Sequence, residues 1–152
     1  MDSLFRAIEG RISRKQYWIG SLLLFLAMMA IVLIVAAIRG TEALHYANGA
    51  SRGASMLITA VILAASVPLV VKRLQDRNKS PHCAWLLYGP ALISAIGDKV
   101  GFTGTSTELN MLGYALAFFN LIISIWFLVE LGFLRGTPGP NEYGPDPLAA
   151  RK

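Results

Sequence analysis

The chain has one cysteine, two histidines and little charge: Lys, Arg, Asp and Glu together make up 15% of its 152 residues. A soluble domain averages about 25% charged residues. With Cys83 as the lone thiol, neither an intrachain disulfide nor a thiol metal cluster can form. The Walker and H-E-x-x-H patterns are missing, so neither a nucleotide-hydrolysing nor a zinc-protease assignment has residues to rest on. No internal period of the kind that marks a repeat protein is present. The length admits one domain, 1–152. The expectation is a protein that is not an enzyme and needs no cofactor or metal.

What the chain does have is apolar sequence, 55% of the whole, gathered into blocks. A water-soluble core of this length could not bury them. An ordinary soluble enzyme, a disordered linker and a secreted disulfide scaffold are therefore excluded. The reading is an all-α polytopic membrane protein. Residues 17–38 form a charge-free block of twenty-two residues, long enough to cross a bilayer and too long for the h-region of a signal peptide. Residues 55–71 form a second block and carry Pro68 near the end. A third, 83–96, is short and interrupted by Gly89-Pro90, which admits a re-entrant segment. The fourth, 106–134, follows Thr105-Ser106-Thr107-Glu108, whose spacing fits a capping box. Leu4, Phe5, Ile8 and Ile12 suggest a short interfacial helix within 1–16, and 135–152 is a tail rich in proline and glycine.

The net charge is +5, which in a soluble chain would raise nucleic-acid binding. Here eleven of the fourteen Lys and Arg fall in 1–16, 72–82 and 135–152. Basic residues favour the cytoplasmic side of a membrane, so four spans with both termini cytoplasmic fit the pattern. Nucleic acid is not an expected partner; the lipid bilayer is, and a homo-oligomer is compatible with the sequence.

Asn110, Asn120 and Glu130 interrupt the fourth block. Glu130 in FLVELGFLRG either pairs with a basic residue such as Arg73 or Arg11, fixing the bundle, or serves as a proton or ion site. Asn120 lies deeper and is expected to hydrogen-bond to a neighbouring helix. Ala60 and Ala64, like Gly113 and Ala117, have the small-residue spacing that lets helices approach. His82-Cys83 is too sparse a pair to hold a metal, and His45 is expected on the other side of the membrane.

Three charged segments remain: Gly10 to Trp18 (GRISRKQYW), Lys72 to Ser80 (KRLQDRNKS) and Gly136 to Pro147 (GTPGPNEYGPDP). Asn141, Tyr143 and Asp146 among rigid turn formers suggest a tail that folds back, where Asp146 would meet a basic residue. In order, these segments resemble the motifs of the bacterial membrane-protein family catalogued as domain of unknown function 805: G-R-x-S-R-x-x-[FYW]-W, R-R-L-H-D-x-x-x-S and G-x-x-G-x-N-x-[FY]-G-x-[DN]-P. The resemblance covers nearly the whole chain and implies a four-helix inner-membrane protein, with no activity attached. The chain departs from it at Lys72, at Gln75 in place of histidine, and at Pro81-His82.

The leading functional expectation is a non-enzymatic inner-membrane module. Its cytoplasmic face, from Arg11, Arg14, Arg73, Asp76, Asn141, Tyr143 and Asp146, would bind a partner protein or lipid headgroups. The alternative is a small oligomeric transporter or channel using Glu130 and Asn120. A lipid-active enzyme would have only Asp76 and Arg73 as its acidic and basic groups.

Overall fold

The computed structural model describes residues 9–39, 49–103 and 108–149, with the backbone alone at 39, 49–59, 98 and 99. Among the described residues the fold is all-helical, without strands. Its helices are α1 (Arg14–Arg39), α2 (Gly49–Asp76), α3 (Ala84–Lys99) and α4 (Met111–Phe127). A 3-10 turn, Pro81–Cys83, leads into α3, and a π-helix, Leu128–Phe133, continues α4. Two stretches are long and apolar enough to cross a membrane, Arg14–Ile38 and Met111–Phe133.

Local chemistry sets each boundary. Helix α1 starts at Arg14 because Ser13 and Gln16 form a capping box. Gln16 Oε1 accepts from Ser13 N at 2.9 Å, and Ser13 Oγ accepts from Gln16 N at 3.4 Å. The expected interfacial helix over 1–16 is therefore not helical across Glu9–Ser13, and residues 14–16 belong to α1. Its Leu4, Phe5 and Ile8 lie outside the described residues. Thr105 to Thr107 also lie outside them. Helix α4 begins later than the expected 106, at Met111, capped by Asn110, whose Oδ1 accepts from Gly113 N at 2.9 Å.

Helix α2 runs five residues past the apolar block, to Asp76. It closes in a Schellman turn: Asn78 N donates to Gln75 O and Lys79 N to Leu74 O, with Asn78 at φ 56°. Asparagine tolerates this left-handed position better than most side chains. Pro81 then occupies the first turn of the 3-10 helix, where its missing N–H leaves no bond unmade.

Burial is lopsided along the bundle. Helix α1 packs on α2 and α3 on α4, and the π-helix joins the pairs through α1 and α2. The buried apolar residues, among them Ile12, Leu69, Val71, Leu74, Tyr88, Phe127 and Leu131, cluster near the end that carries residues 72–76. Gly20 belongs there too: a Cβ on it would lie 2.7 Å from Leu69 Cδ2, so glycine permits that approach of α1 and α2. Large apolar side chains such as Leu33, Ile38, Phe118 and Ile122 face outward instead.

Candidate functional site

At that same end, five charged or polar side chains of one stretch of α2 (Lys72, Arg73, Gln75, Asp76) and of the π-helix (Glu130) are buried. Arg73, fully buried, is the hub. Its Nε donates to Leu131 O at 2.8 Å, its Nη2 to Leu134 O, and its Nη1 to Ile12 O at 3.4 Å and to Asp76 Oδ2. Asp76 also holds Arg11, whose Nη2 is 3.0 Å and Nε 3.1 Å from Oδ1. One carboxylate thus bridges two buried guanidiniums.

The arginines act chiefly on backbone carbonyls. A helix leaves its last four carbonyls without intrahelical partners, at the negative end of its dipole. Along the π-helix and just after it, Arg73 takes Leu131 O and Leu134 O, Arg14 takes Phe133 O at 3.0 Å, and Arg77 takes Arg135 O. Trp18 Nε1 takes Gly132 O at 3.0 Å. Its ring lies so close that a Cβ on Gly132 would be 2.9 Å from Trp18 Cζ2.

The tail returns the arrangement to α2. Thr137 donates to Asp76 O through its N at 2.8 Å and its Oγ1 at 3.0 Å, and Asn141 Nδ2 donates to Gln75 O at 2.9 Å. Arg11 then ties the tail down through Thr137 O at 2.6 Å, Gly139 O at 2.7 Å and Gly144 O at 3.3 Å. Gly136 passes directly over the Asp76 carboxylate, which any Cβ there would overlap.

The structure thus brings Arg11, Arg14, Arg73, Asp76, Asn141 and, through its backbone N–H, Tyr143 together, and turns Arg11, Arg73 and Asp76 inward. Arg11, Arg73 and Asp76 are held within the protein; Arg14, which is exposed, reaches Phe133 O. Asn141 caps α2 and also accepts from Tyr143 N at 2.9 Å, the contribution of Tyr143 to the turn. Asp146 departs from expectation. Its carboxylate accepts from Gly139 N at 3.1 Å and Leu148 N at 2.9 Å, so it organises the tail's own turn; the carboxylate that meets the arginines is Asp76. Those two N–H donors hold the Asp146 carboxyl below its ordinary range, with Arg11 and Arg135 adding to the effect.

Glu130 does pair with basic residues, though with neither Arg73 nor Arg11. Arg77 Nε and Lys79 Nζ stand 3.0 and 3.3 Å from Oε1, and Lys79 also lies 5.0 Å over the Trp126 ring. The sequence missed these two cations because the Schellman turn, invisible in residue spacing, swings Lys79 back toward α4. Asn120 meets a neighbouring helix, donating to Ser94 Oγ at 2.9 Å and to Leu116 O at 2.9 Å. His82 Nδ1 is 3.1 Å from Ser80 Oγ, and Cys83 is half-buried; His45 lies outside the described residues.

Residues 5–145 match the family model described as "Protein of unknown function (DUF805)". Two curated relatives, each called "Uncharacterized protein YiiR", come from Escherichia coli strain K12 and Escherichia coli O157:H7. Each is 28% identical over 141 residues, spanning 92% of this chain and 85% of the relative. No solved structure matches.

Proposed function

The chain belongs to the DUF805 family, whose description carries no activity, and from the geometry above we propose a non-enzymatic, four-span module of the bacterial inner membrane. Both termini and the 72–82 turn lie on the cytoplasmic side in this reading, and α2 and α3 also cross. The observation that carries it is the inverted distribution of polarity. Arg73 and Asp76 are 0% and 3% exposed while Ile38 and Met111 are 77% and 91% exposed. In water that arrangement buries charge and leaves hydrocarbon wet, both unfavourable. In a bilayer the apolar exterior is at home, and buried ionic groups with partners are tolerated.

The Arg11–Asp76–Arg73 network makes that end a rigid platform. Its outer rim carries Arg14, Lys15 and Arg135, all exposed. We assign to this rim the binding of anionic lipid headgroups, each cation contributing about 1 kcal/mol near a charged surface. Partner-protein docking on the same rim is the second reading, favoured by the ordered tail surface beside it. Lys15→Gln with Arg135→Gln tests the first, because neither side chain belongs to the network. Anionic lipid retained by protein purified in native nanodiscs should fall about thirtyfold relative to zwitterionic lipid, following two such contributions. An unchanged lipid ratio would sink the headgroup role. Fusing a fluorescent reporter to the C-terminus tests the orientation: fluorescence that develops only in a periplasm-competent reporter would reverse it.

The transporter reading has less support. Glu130 sits among two cations and Asp76 between two guanidiniums, which suits fixed ion pairs better than carboxylates that exchange protons with a passing substrate.

A further inference from the structure

The two helix pairs that close together at the network end part further along the bundle and leave a cavity of about 610 Å³ lined by all four helices. That is within the size range of small-molecule sites, about 300–1,000 Å³. Among the described residues its lining contains no Asp, Glu, Lys, Arg or His. The polar groups are Tyr17, Ser21, Ser66, Tyr88, Asn120 and Ser124. Ser66 Oγ and Tyr88 OH share a hydrogen bond of 2.8 Å, and both amide hydrogens of Asn120 are engaged.

The hydroxyls among these groups lie toward one end of the bundle axis, while the Asn120 amide lies beside the deeper part. By helix rise, Tyr17 lies roughly 5 Å and Ser21 roughly 11 Å beyond Arg14, whereas Met28 lies roughly 21 Å beyond it. On α2, Ser66 is nearer the network end and Ile62 farther from it, and on α3 Tyr88 precedes Ala91 in the same sense. The hydroxyl-rich part of the cavity thus faces the charged end, and the part lined by Phe25, Met28 and Ile62 faces mid-bundle. Polarity falls in the same direction as it does from headgroup to tail within one leaflet.

We propose that this cavity binds an uncharged amphiphile, its hydroxyl or carbonyl head among the serines and tyrosines and its hydrocarbon body between Phe25, Met28 and Ile62. The proposal rests on the membrane reading above. A charged head is disfavoured because the lining offers no counter-ion, and burying an uncompensated charge is far more costly than burying a hydroxyl. A hydroxyl or carbonyl meets hydrogen-bonding groups there that hydrocarbon cannot supply. An acyl chain of bulk lipid would fill the volume without satisfying any of these groups.

The test uses full-length protein in phosphatidylcholine vesicles, irradiated with a diazirine-bearing long-chain alcohol, with adducts mapped by mass spectrometry. Adducts should concentrate on Phe25, Met28 and Ile62, and excess unlabelled alcohol should displace them. The corresponding alkyl sulfonate should label these residues about tenfold less, for want of a counter-ion. Ser124→Leu and, from another helix, Ala91→Phe should each abolish the displaceable labelling. Their retention of adducts on outward residues such as Leu22 and Phe118 would show that the protein remains inserted. Labelling spread over outward and cavity residues alike, without displacement, would overturn the site. Equal labelling by the sulfonate would overturn the uncharged head. Protein that a carbonate wash strips from the vesicles would overturn the membrane reading itself, a failure distinct from loss of displaceable labelling.

Discussion

Asp76 and Glu130 are both carboxylates with two cationic partners, yet they should differ sharply under substitution. Asp76 and its partners are almost wholly shielded, with side chains 4% exposed for Asp76, 1% for Arg11 and 0% for Arg73. Asp76→Asn would leave two buried guanidiniums without a counter-charge, a loss of about 3–5 kcal/mol for a broken buried pair. Glu130 faces Arg77 and Lys79, which are 24% and 35% exposed. Solvent can replace part of that attraction, and Glu130→Gln should cost about 1 kcal/mol. Thermal denaturation in detergent checks the contrast, and equal losses would mean that burial does not govern these pairs. Arg73→Lys belongs to the same scale. A lysine keeps the charge but cannot span Leu131 O, Leu134 O and Asp76 with one planar fork. It should lose about 2–4 kcal/mol, reflecting more than one charge-assisted bond. Gly136→Ala introduces a methyl group against a carboxylate that Arg11 and Arg73 hold in place. A cost of about 1–3 kcal/mol is expected from such overpacking, read by the same melts.

The tail is an element held by caps rather than by a core of its own. Thr137 and Asn141 cover carbonyls at the end of α2, and Arg11 covers three of the tail's carbonyls. Asp146 closes the Gly139–Leu148 turn as a carboxylate. Because its folded pKa lies below the ordinary value of 3.8, its contribution is fully present above that pH and is lost as pH falls through the depressed value. The tail should therefore stay ordered from neutral pH down to about pH 4 and loosen only below it. Amide exchange at Gly139 and Leu148, followed against pH, checks this; in Asp146→Asn the acid step should vanish. The same element shows how legible the sequence was. Its asparagine, tyrosine and aspartate among rigid turn formers suggest a tail that folds back, and do not say how. The expectation that Asp146 meets a basic residue there differs from its backbone partners, because spacing reveals that a carboxylate has a partner without revealing whether backbone N–H groups supply it.

Across the whole molecule, the network joins the segment before α1, the end of α2, the π-helix and the tail, so damage at one member should reach the others. Arg11→Ala removes the tail's three carbonyl contacts and one ion pair of Asp76, while leaving Arg73 on the π-helix. Limited proteolysis should then cut the tail between 137 and 149 while the helical circular dichroism is unchanged. Loss of helicity along with the tail would show that the tail and the bundle are a single cooperative unit. At the far end the bundle depends on weaker ties such as Asn120 to Ser94, worth about 0.6 kcal/mol on average in a membrane.

The all-helical class and the long apolar blocks followed from the sequence alone, because hydropathy acts locally. So did Asn120 as an interhelical donor and Glu130 as an ion-paired residue. The helix limits were less accessible. Helix α2 continues to Asp76 because its last charges find partners on other elements, and α1 starts at a capping box that the apolar stripe of residues 4–12 obscured. Only the tertiary structure decided the roles of the arginines. A row of exposed-looking cations in a sequence reads as a binding face, but here distant carbonyls at the end of a helix and one shared carboxylate turn Arg11 and Arg73 inward. Which acceptor an arginine reaches depends on how four helices and a tail meet, and that information is held by no single segment of the chain.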